Sequence, residues 1–329
     1  MSGKLLITGA SGFLGYHLVE EAVQQGYNVT AAVRRGSSVD QLKKFAIRYT
    51  ILDYEDQNAL LKNIADQEYD YIIHAAGVTK ANRLEEYELI NSVYTQNLAQ
   101  ALVASGNQLK KFVYISSLAA VGPIENLADT ITEQSLAKPV TSYGKSKLLA
   151  EIHLASFNTL PWIILRPTAI YGPMERDLFL IIKTLYRGLD LYIGKTDQML
   201  SFVYVKDVAR ASVLALAAGT QRHIYNISDG HRYDRYAFAS ILKNHLNKKA
   251  IRIHLPISVV RSMASILEFV YQFNKMKPAL NKEKTAELTA SNWVCSIDAI
   301  KKDIGYEPQY TLEPGMKETL DWYKLNKWL

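Results

Sequence analysis

Residues Ile7–Gly15 read I-T-G-A-S-G-F-L-G, with glycines three positions apart between a short apolar run and a helical pattern. In such a strand–turn–helix context, Gly9 permits the tight turn and Gly12 lets the backbone approach a pyrophosphate. Gly15 lets the helix pack closely on the sheet, and the first-turn N–H groups face the phosphates. The stretch predicts a dinucleotide site formed by Gly9, Ser11, Gly12, Phe13, Leu14 and Gly15.

Short β-branched runs alternate with longer helical patterns up to about residue 170. The predicted strands are 4–8, 28–33, 48–52, 71–74, 111–116 and 162–166, and the predicted helices are 12–25, 57–65, 84–105 and 142–157. The strands are nearly continuous apolar runs, as expected when both faces of a sheet are covered. This alternation predicts an α/β fold with a doubly wound parallel sheet, a Rossmann domain over residues 1–170.

Helical patterns dominate after Pro167, and we expect residues 171–329 to form a smaller, mostly helical substrate lobe, with exchange of short segments between the domains left open. Helices are predicted at 177–187, 208–218, 236–246, 257–273 and 312–324, with short strands at 224–227 and 251–255 between them. No Pro-, Ser- or Gly-rich linker separates the two parts. We therefore expect them to move together.

The composition narrows the possible partners. The formal charge is +6, but the basic residues come as scattered pairs, without the stripe expected of a nucleic-acid site. The one cysteine excludes an internal disulfide, and the seven histidines lack metal-ligand spacing, so we expect no metal. No apolar run is long enough to span a bilayer, since Arg261 and Glu268 interrupt the longest. We expect a cytoplasmic protein with a small-molecule substrate and no membrane or nucleic-acid partner.

The residues at the end of the second predicted strand indicate which nicotinamide cofactor is preferred. NAD sites usually place a carboxylate here to bind the ribose 2′-hydroxyl, whereas an arginine suits a 2′-phosphate. Here the strand ends in Arg34 and Arg35, and Asp40 follows only several residues later. NADP is therefore favoured over NAD. Asp53, with Tyr54 beside it, comes just past the third strand and is expected at the adenine.

A second motif supplies proton chemistry. Tyr143 and Lys147 are four residues apart on a predicted helix, so they share one face. A lysine ammonium nearby favours the phenolate, so we expect it to lower the pKa of the tyrosine and make proton transfer useful. Ser117, at the end of a strand reaching the same edge, is placed to bind a substrate oxygen. Together with the glycine turn, these residues predict hydride-transfer chemistry.

At this point the chain resembles an extended short-chain dehydrogenase/reductase of the NAD-dependent epimerase/dehydratase family over nearly its whole length. The matching segments are T-G-A-S-G-F-L-G (8–15), H-A-A-G (74–77), Asn91, V-Y-I-S-S-L-A-A-V-G-P (113–123), Y-G-K-S-K (143–147), L-R-P-T-A-I-Y-G-P (165–173) and F-V-Y-V-K-D-V-A (202–209).

The resemblance implies catalytic roles for Ser117, Tyr143 and Lys147. The family's active serine stands five residues before a glycine, here Gly122, which selects Ser117 over Ser116. It further implies that Tyr143 and Lys147 contact the cofactor, as do the segments around Ala75, Ala76 and Gly77 and around Pro167, Ala169 and Ile170. Helices 84–105 and 142–157 resemble the pair through which many relatives form homodimers.

Two departures affect the expected substrate. Val121 stands where the family usually has a tyrosine before the glycine. The arginine strand end is similar to that of dihydroflavonol-reductase-like and 3β-hydroxysteroid-dehydrogenase-like branches rather than to that of sugar epimerases. A nucleotide sugar and a non-sugar ketone therefore both remain open.

The expected reaction is hydride transfer at a hydroxyl or carbonyl carbon, giving epimerisation if the cofactor stays bound and net oxidation or reduction if it exchanges. Dehydration is disfavoured, because Leu118 and Ala119 follow Ser117 where dehydratases carry an acid. The alternative is a non-catalytic NAD(P)-binding sensor, although such relatives typically lose the tyrosine or the lysine. Candidate substrate contacts are Thr79, Ser116, Arg176, Tyr192, Tyr204 and Arg232.

Overall fold

The structure, a computed structural model, describes residues 3–81, 83–271 and 282–329. The strands are β1 (Lys4–Thr8), β2 (Asn28–Ala32), β3 (Arg48–Thr50), β4 (Tyr71–His74), β5 (Lys111–Ile115), β6 (Trp162–Pro167), β7 (Ala169–Tyr171), β8 (Leu189–Ile193), β9 (Met199–Leu200), β10 (Phe202–Tyr204), β11 (His223–Ile227), β12 (Tyr233–Asp234) and β13 (Ile251–Leu255).

The α-helices are α1 (Phe13–Gln24), α2 (Gln57–Gln67), α3 (Leu84–Glu88), α4 (Tyr94–Ala104), α5 (Ser142–Ala155), α6 (Asp177–Tyr186), α7 (Val205–Ala217), α8 (Ala237–Leu246), α9 (Ile257–Tyr271), α10 (Lys282–Thr289), α11 (Asp298–Ile304) and α12 (Leu312–Leu325). Short 3₁₀ turns occur at Asp40–Leu42 and Leu118–Ala120. A π-helical turn, Leu89–Val93, joins α3 to α4.

Seven parallel strands form the central sheet in the order β11-β6-β5-β4-β1-β2-β3. The order reverses at β1, so the glycine turn that follows this strand lies at the topological switch point, where ligands of such sheets bind. Both faces of the sheet are covered. One apolar layer includes side chains of α1 and α7, and the other includes side chains of α2, α4 and α5. The predicted doubly wound α/β fold is confirmed.

The second lobe has its own apolar core between α6, α8 and α12. Three two-stranded pairs accompany it: β7 with β10, β9 with β12, and β8 with β13. Residues 205–227 follow the predicted domain boundary at residue 170 but pack with the first domain. Strand β11 extends the central sheet beside β6, and α7 packs on α1. The domain boundary at residue 170 stays a prediction. The segment 205–227 lies with the central sheet and its covering helices.

One predicted helix is interrupted in the structure, and another extends beyond the described residues. The single helix predicted over 84–105 is interrupted by the π-helical turn, for which the sequence pattern carries no signal. The predicted end of the 257–273 helix, at Phe273, lies outside the described residues. Among the residues that the structure describes, no helix is both long and apolar enough to cross a membrane.

Candidate active site

A cleft of about 2750 Å³ runs along the carboxyl edge of the central sheet and under the second lobe. The glycine turn, the end of β2 and the loops after β4, β5 and β6 line one part of it. Residues of α3, α6 and α10 line the other part. The structure therefore brings together residues from segments far apart in the sequence.

The glycine turn is built around close backbone contacts. Gly9 adopts φ +69°, and a Cβ there would lie 2.7 Å from the carbonyl oxygen of Ala75. A Cβ on Gly15 would lie 2.1 Å from the carbonyl oxygen of Gly9. Gly12 is exposed to the cleft as the N-cap of α1, where no side chain caps the helix and the first turn has no acidic residue. This end of α1 therefore fits a pyrophosphate.

A buried histidine supports the floor next to this turn. The side chains of Thr8 and His74 are hydrogen-bonded at 2.7 Å, and the Thr8 hydroxyl also accepts the N–H groups of Ala75 and Ala76. The other ring nitrogen of His74 lies 3.0 Å from the Thr95 hydroxyl. Burial lowers the pKa of His74 to about 3, so the ring is neutral at physiological pH. Thr8 and His74 thus fix the backbone where the resemblance expects adenosine.

The end of β2 presents positive charge to the cleft. Arg34 and Arg35 are exposed and line it, and so does Asp53, whose carboxylate accepts backbone N–H groups at 3.2 and 3.4 Å. The nearest following acid, Asp40, is bound by Lys43 at 2.6 Å and by the Ser38 hydroxyl at 3.0 Å. This arrangement suits a phosphate at the strand end better than a neutral ribose diol.

Tyr143 and Ser117 meet in the cleft. Thr141 caps α5 by accepting the N–H of Gly144 at 3.0 Å, which sets Tyr143 in the first helical turn. Ser117 follows β5, and its hydroxyl accepts the N–H of Ala119 at 3.2 Å. Both residues line the cleft, and the Ser117 side chain is close enough to the Tyr143 hydroxyl to act on its pKa. Two hydroxyls are thereby placed to share one substrate oxygen.

The pKa of Tyr143 differs from the sequence expectation. Burial of its hydroxyl raises the pKa to about 12, and the nearby Ser117 side chain only partly offsets this. The expected lowering by Lys147 is therefore wrong for this state of the protein, because desolvation outweighs any effect of the ammonium. At neutral pH the phenol is protonated and suited to donate a proton.

Lys147 is buried beneath the site. Its Nζ donates to the carbonyl oxygen of Ile115 at 2.7 Å and lies 4.7 Å from the centre of the Tyr114 ring. Burial lowers its pKa to about 8, although the carboxylate of Glu151 acts in the opposite direction. A Cβ on Gly77 would lie 3.6 Å from Nζ, so the missing side chain keeps the ammonium accessible from this loop.

Sequence reasoning missed a buried carboxylate behind the catalytic residues. Glu151 is eight residues after Tyr143 on α5, and its oxygens accept the Nε of Arg166 at 3.0 and 3.2 Å. The hydroxyl of Ser116 also donates to Glu151. Ser116, a candidate substrate contact, lines the cleft with its hydroxyl already engaged. The spacing of four residues between Lys147 and Glu151 was the available signal.

Asn91 lies in the π-helical turn and is fully buried. Its amide oxygen accepts the N–H of Val78 at 2.8 Å, and its amide nitrogen donates to the carbonyl of Val78 and to the Ser146 hydroxyl, each at 3.0 Å. These bonds tie the loop after β4 to α5. Asn91 therefore positions Gly77 relative to Lys147.

The candidate substrate residues divide into two groups. Thr79, Ser116 and Arg176 line the cleft. Three lie elsewhere: Tyr204 is fully buried with its ring 4.4 Å from that of Tyr310, Tyr192 packs on Tyr236 and His254 beneath the β8–β13 pair, and Arg232 binds the 127–130 loop.

Helix α10 brings two acids to the cleft that the sequence analysis did not consider. The carboxylate of Glu283 accepts the backbone N–H and the hydroxyl of Ser142, at 2.9 and 2.6 Å. Glu287 also lines the cleft and contributes to the raised pKa of Tyr143. The sequence gave no sign of them, because α10 follows Tyr143 by about 140 residues.

The remaining predicted cofactor residues also lie in the cleft. Its lining contains Gly9, Ser11, Gly12, Phe13, Leu14, Gly15, Arg34, Arg35, Asp53, Tyr54, Ala75, Ala76, Gly77, Pro167, Ala169 and Ile170. Within the described ranges, no group of histidine, cysteine or acidic side chains is arranged to hold a metal ion.

Comparison with known proteins agrees with this arrangement. The model of the NAD dependent epimerase/dehydratase family matches residues 5–228. The chain is 26% identical over 330 residues to a ceramide reductase of Caulobacter vibrioides, covering 99% of this chain and 96% of that protein. It is 24% identical over 332 residues to a decarboxylating sterol-4-alpha-carboxylate 3-dehydrogenase of Dictyostelium discoideum, covering 96% and 99%.

Among solved structures, a UDP-glucose 4-epimerase of Thermotoga maritima superposes with a TM-score of 0.80 at 20% identity, covering 98% of this chain and 99% of that one. This likeness concerns the fold. The family match, the glycine turn and the Tyr143–Ser117 pair lead to one assignment: the chain belongs to the NAD dependent epimerase/dehydratase family and is a nicotinamide-dependent enzyme of the extended short-chain dehydrogenase/reductase type.

Proposed function

We propose that this enzyme reduces a ketone, or oxidises the matching alcohol, with Tyr143 moving the hydroxyl proton. The observation that carries the proposal is that Tyr143, Ser117 and the buried Lys147 line the same cleft, next to the glycine turn. In the reducing direction the substrate carbon gains a hydride and its oxygen gains the proton of Tyr143. A bound nicotinamide supplies the hydride, or accepts it in the oxidising direction.

The three side chains have separate tasks. Ser117 donates a hydrogen bond to the substrate oxygen and holds it next to Tyr143. The raised pKa keeps Tyr143 protonated before the reaction, and Tyr143 gives up its proton as negative charge develops on that oxygen. Lys147 stabilises the resulting phenolate and binds the cofactor from the Gly77 side. The exposed first turn of α1 would hold the pyrophosphate.

We further propose that NADP is preferred over NAD. The support is the pair Arg34 and Arg35 at the end of β2, together with the engagement of Asp40 by Lys43. The double variant Arg34→Ala/Arg35→Ala should raise the KM for NADPH about tenfold or more and change that for NADH little. The matched control is Arg48→Ala, an exposed arginine on β3. Equal effects on both cofactors would refute the preference.

For the substrate we favour a non-sugar ketone or alcohol with a large apolar portion. The support is the substrate side of the cleft, where α6 contributes Leu178, Phe179, Leu180 and Ile181 and α3 contributes Leu84. Both a sterol dehydrogenase and a UDP-glucose 4-epimerase occur among the similar proteins, so a nucleotide sugar is the second candidate.

A substrate panel tests this choice. Nicotinamide absorbance would be followed with 3-ketosteroids, long-chain ketones and UDP-hexoses, and UDP-hexose epimerisation would be followed by chromatography. We expect oxidation of NADPH with the apolar ketones. Turnover of UDP-hexoses alone would move the assignment to the second candidate, and cofactor binding without turnover of any compound would favour the sensor alternative.

We also propose a homodimer through α4 and α5 with the preceding π-helical turn. Exposed aliphatic residues on these elements, Leu89, Val103 and Ile152, support it. The cytoplasmic location stays a prediction from the sequence.

A further inference from the structure

The β8–β13 pair in the second lobe has an unusual distribution of side chains. The two strands are parallel and in register, with Leu189 opposite Ile251 and Leu191 opposite Ile253. Successive side chains of a strand point to opposite faces, so these four aliphatic residues share one face. All four are exposed, by 36% to 70% of their surface. We call Leu189, Leu191, Ile251 and Ile253 the docking face.

The opposite face of the same strand pair carries Asp190, Tyr192, Arg252 and His254 and lies toward α8. Asp190 is buried and binds the Nζ of Lys243 on α8 at 2.9 Å. Arg252 lies opposite Asp190, with its guanidinium 4.1 Å from the centre of the Tyr236 ring. A strand pair at the surface of a water-soluble protein normally buries its apolar face and exposes its polar one. Here four aliphatic side chains lie in contact with water, while the charged Asp190 is buried on the inner face.

Positive charge surrounds the docking face. Segments 186–196 and 247–263, which contain and flank the two strands, carry six basic residues and a single acid, the buried Asp190. Lys248 and Lys249 lie three and two residues before β13, and Lys195 lies two residues past the end of β8. The Nζ of Lys248 lies 5.0 Å from the centre of the Tyr186 ring, at the entry to β8. We call the exposed Arg187, Lys195, Lys248, Lys249 and Arg261 the basic rim.

We propose that the docking face and its basic rim bind the surface of a bilayer that contains anionic phospholipids. Exposed aliphatic side chains can enter the headgroup region, and each nearby lysine or arginine is attracted to lipid phosphate and carboxylate groups. A second copy of the chain is a poorer occupant, because two basic rims would then face each other. This proposal departs from the sequence expectation of no membrane partner, which interpreted the scattered basic pairs, including Lys248 and Lys249, as solvated surface.

Docking through this face would also set the position of the cleft relative to the bilayer. Helix α6 ends at Tyr186, three residues before β8 begins. Its exposed residues Leu180 and Ile181 line the cleft. Docking would therefore bring the apolar wall of the cleft close to the bilayer, where an apolar substrate is concentrated. This consequence rests on the proposed substrate class, whereas the docking itself does not.

Vesicle flotation of the full chain tests the proposal. Vesicles of phosphatidylcholine with and without phosphatidylserine would be compared at low and high salt. We expect flotation with the phosphatidylserine vesicles that weakens as salt rises, since the attraction is screened. Leu191→Asp/Ile253→Asp should reduce vesicle partitioning about tenfold or more. Lys248→Glu/Lys249→Glu should reduce it about fivefold or more for each charge, without altering the aliphatic face.

The matched control is Leu136→Asp/Leu325→Asp, because these leucines are exposed by 78% and 81% outside the docking face. It should float like the unaltered protein. Absence of flotation with either vesicle type would overturn the proposal, as would equal flotation of all variants. If Leu191→Asp/Ile253→Asp instead converts an oligomer to a smaller species without affecting flotation, the face is an interface between copies. Activity with a water-soluble ketone separates these outcomes from failure of the proposed chemistry.

Discussion

At the scale of single residues, the pKa values of Lys147 and Tyr143 differ widely. Lys147 has a pKa of about 8 and Tyr143 one of about 12, both because of burial. As pH rises through about 8, the lysine loses its charge while the tyrosine keeps its proton. We expect kcat/KM for reduction to fall above a pH of about 8, measured with the substrate that the panel identifies.

The control for this prediction is Lys147→Arg, whose guanidinium stays charged throughout the range. Its activity will be lower, but the decline near pH 8 should disappear. A decline that persists in this variant would mean that another group titrates.

Residue types and their spacing in the sequence were enough to propose much of the candidate site. Glycine spacing indicated the turn, and the Tyr143–Lys147 spacing indicated a shared helix face. The raised pKa of Tyr143 could not be predicted, because it depends on how completely the folded chain excludes water from the hydroxyl. The hydrogen bond from the Ser116 hydroxyl to Glu151 could not be predicted either, because it forms only when α5 packs beside β5 and β6.

At the scale of elements, the π-helical turn around Asn91 determines how the loop after β4 meets α5. Asn91→Ala would remove the partner of the N–H and carbonyl of the half-buried Val78 and leave the buried Ser146 hydroxyl without its bond to the amide. We expect a loss of about 3 kcal/mol in the free energy of unfolding, measured by urea denaturation, together with weaker cofactor binding.

Asn97→Ala is the matched control, since its side chain makes one hydrogen bond, to the carbonyl of Tyr54 at 2.8 Å. It should cost about 1 kcal/mol. Equal losses in the two variants would contradict the bridging role of Asn91. The sequence pattern predicted one helix through this turn, and the bonds of Asn91 to the loop after β4 exist only in the folded chain.

The β8–β13 pair shows a second limit of sequence reasoning. The alternation in residues 251–255 predicted a strand, whereas β8 was overlooked and Tyr192 was considered a substrate contact. A parallel partner 62 residues earlier leaves no local signal, and an apolar outward face contradicts the usual pattern of burial.

At the scale of the whole molecule, strand–helix alternation predicted the doubly wound sheet. The position of β11 beside β6 was not predicted, since nothing in a five-residue strand specifies which sheet it joins.

Global stability should depend on pH through His74. Its pKa is about 3 in the folded chain and about 6.5 when unfolded, so only the unfolded chain takes up this proton between those values. As pH falls below about 6.5, the free energy of unfolding should drop by about 1.4 kcal/mol per pH unit from this group.

The variant His74→Asn cannot titrate and should show a shallower decline, although it is less stable at neutral pH. Urea denaturation at several pH values gives the two slopes. Parallel slopes would show that His74 is not held neutral in the fold.

The most direct test of the proposed chemistry is a single-turnover measurement of hydride transfer in Tyr143→Phe, with NADPH already bound and the substrate identified by the panel. Tyr87→Phe, also in the cleft with its ring 6.4 Å from that of Tyr143, is the control. We predict that transfer slows by about 10³-fold in Tyr143→Phe alone, with NADPH affinity nearly unchanged. Transfer within about tenfold of the unaltered enzyme would contradict the assignment of Tyr143 as the proton donor.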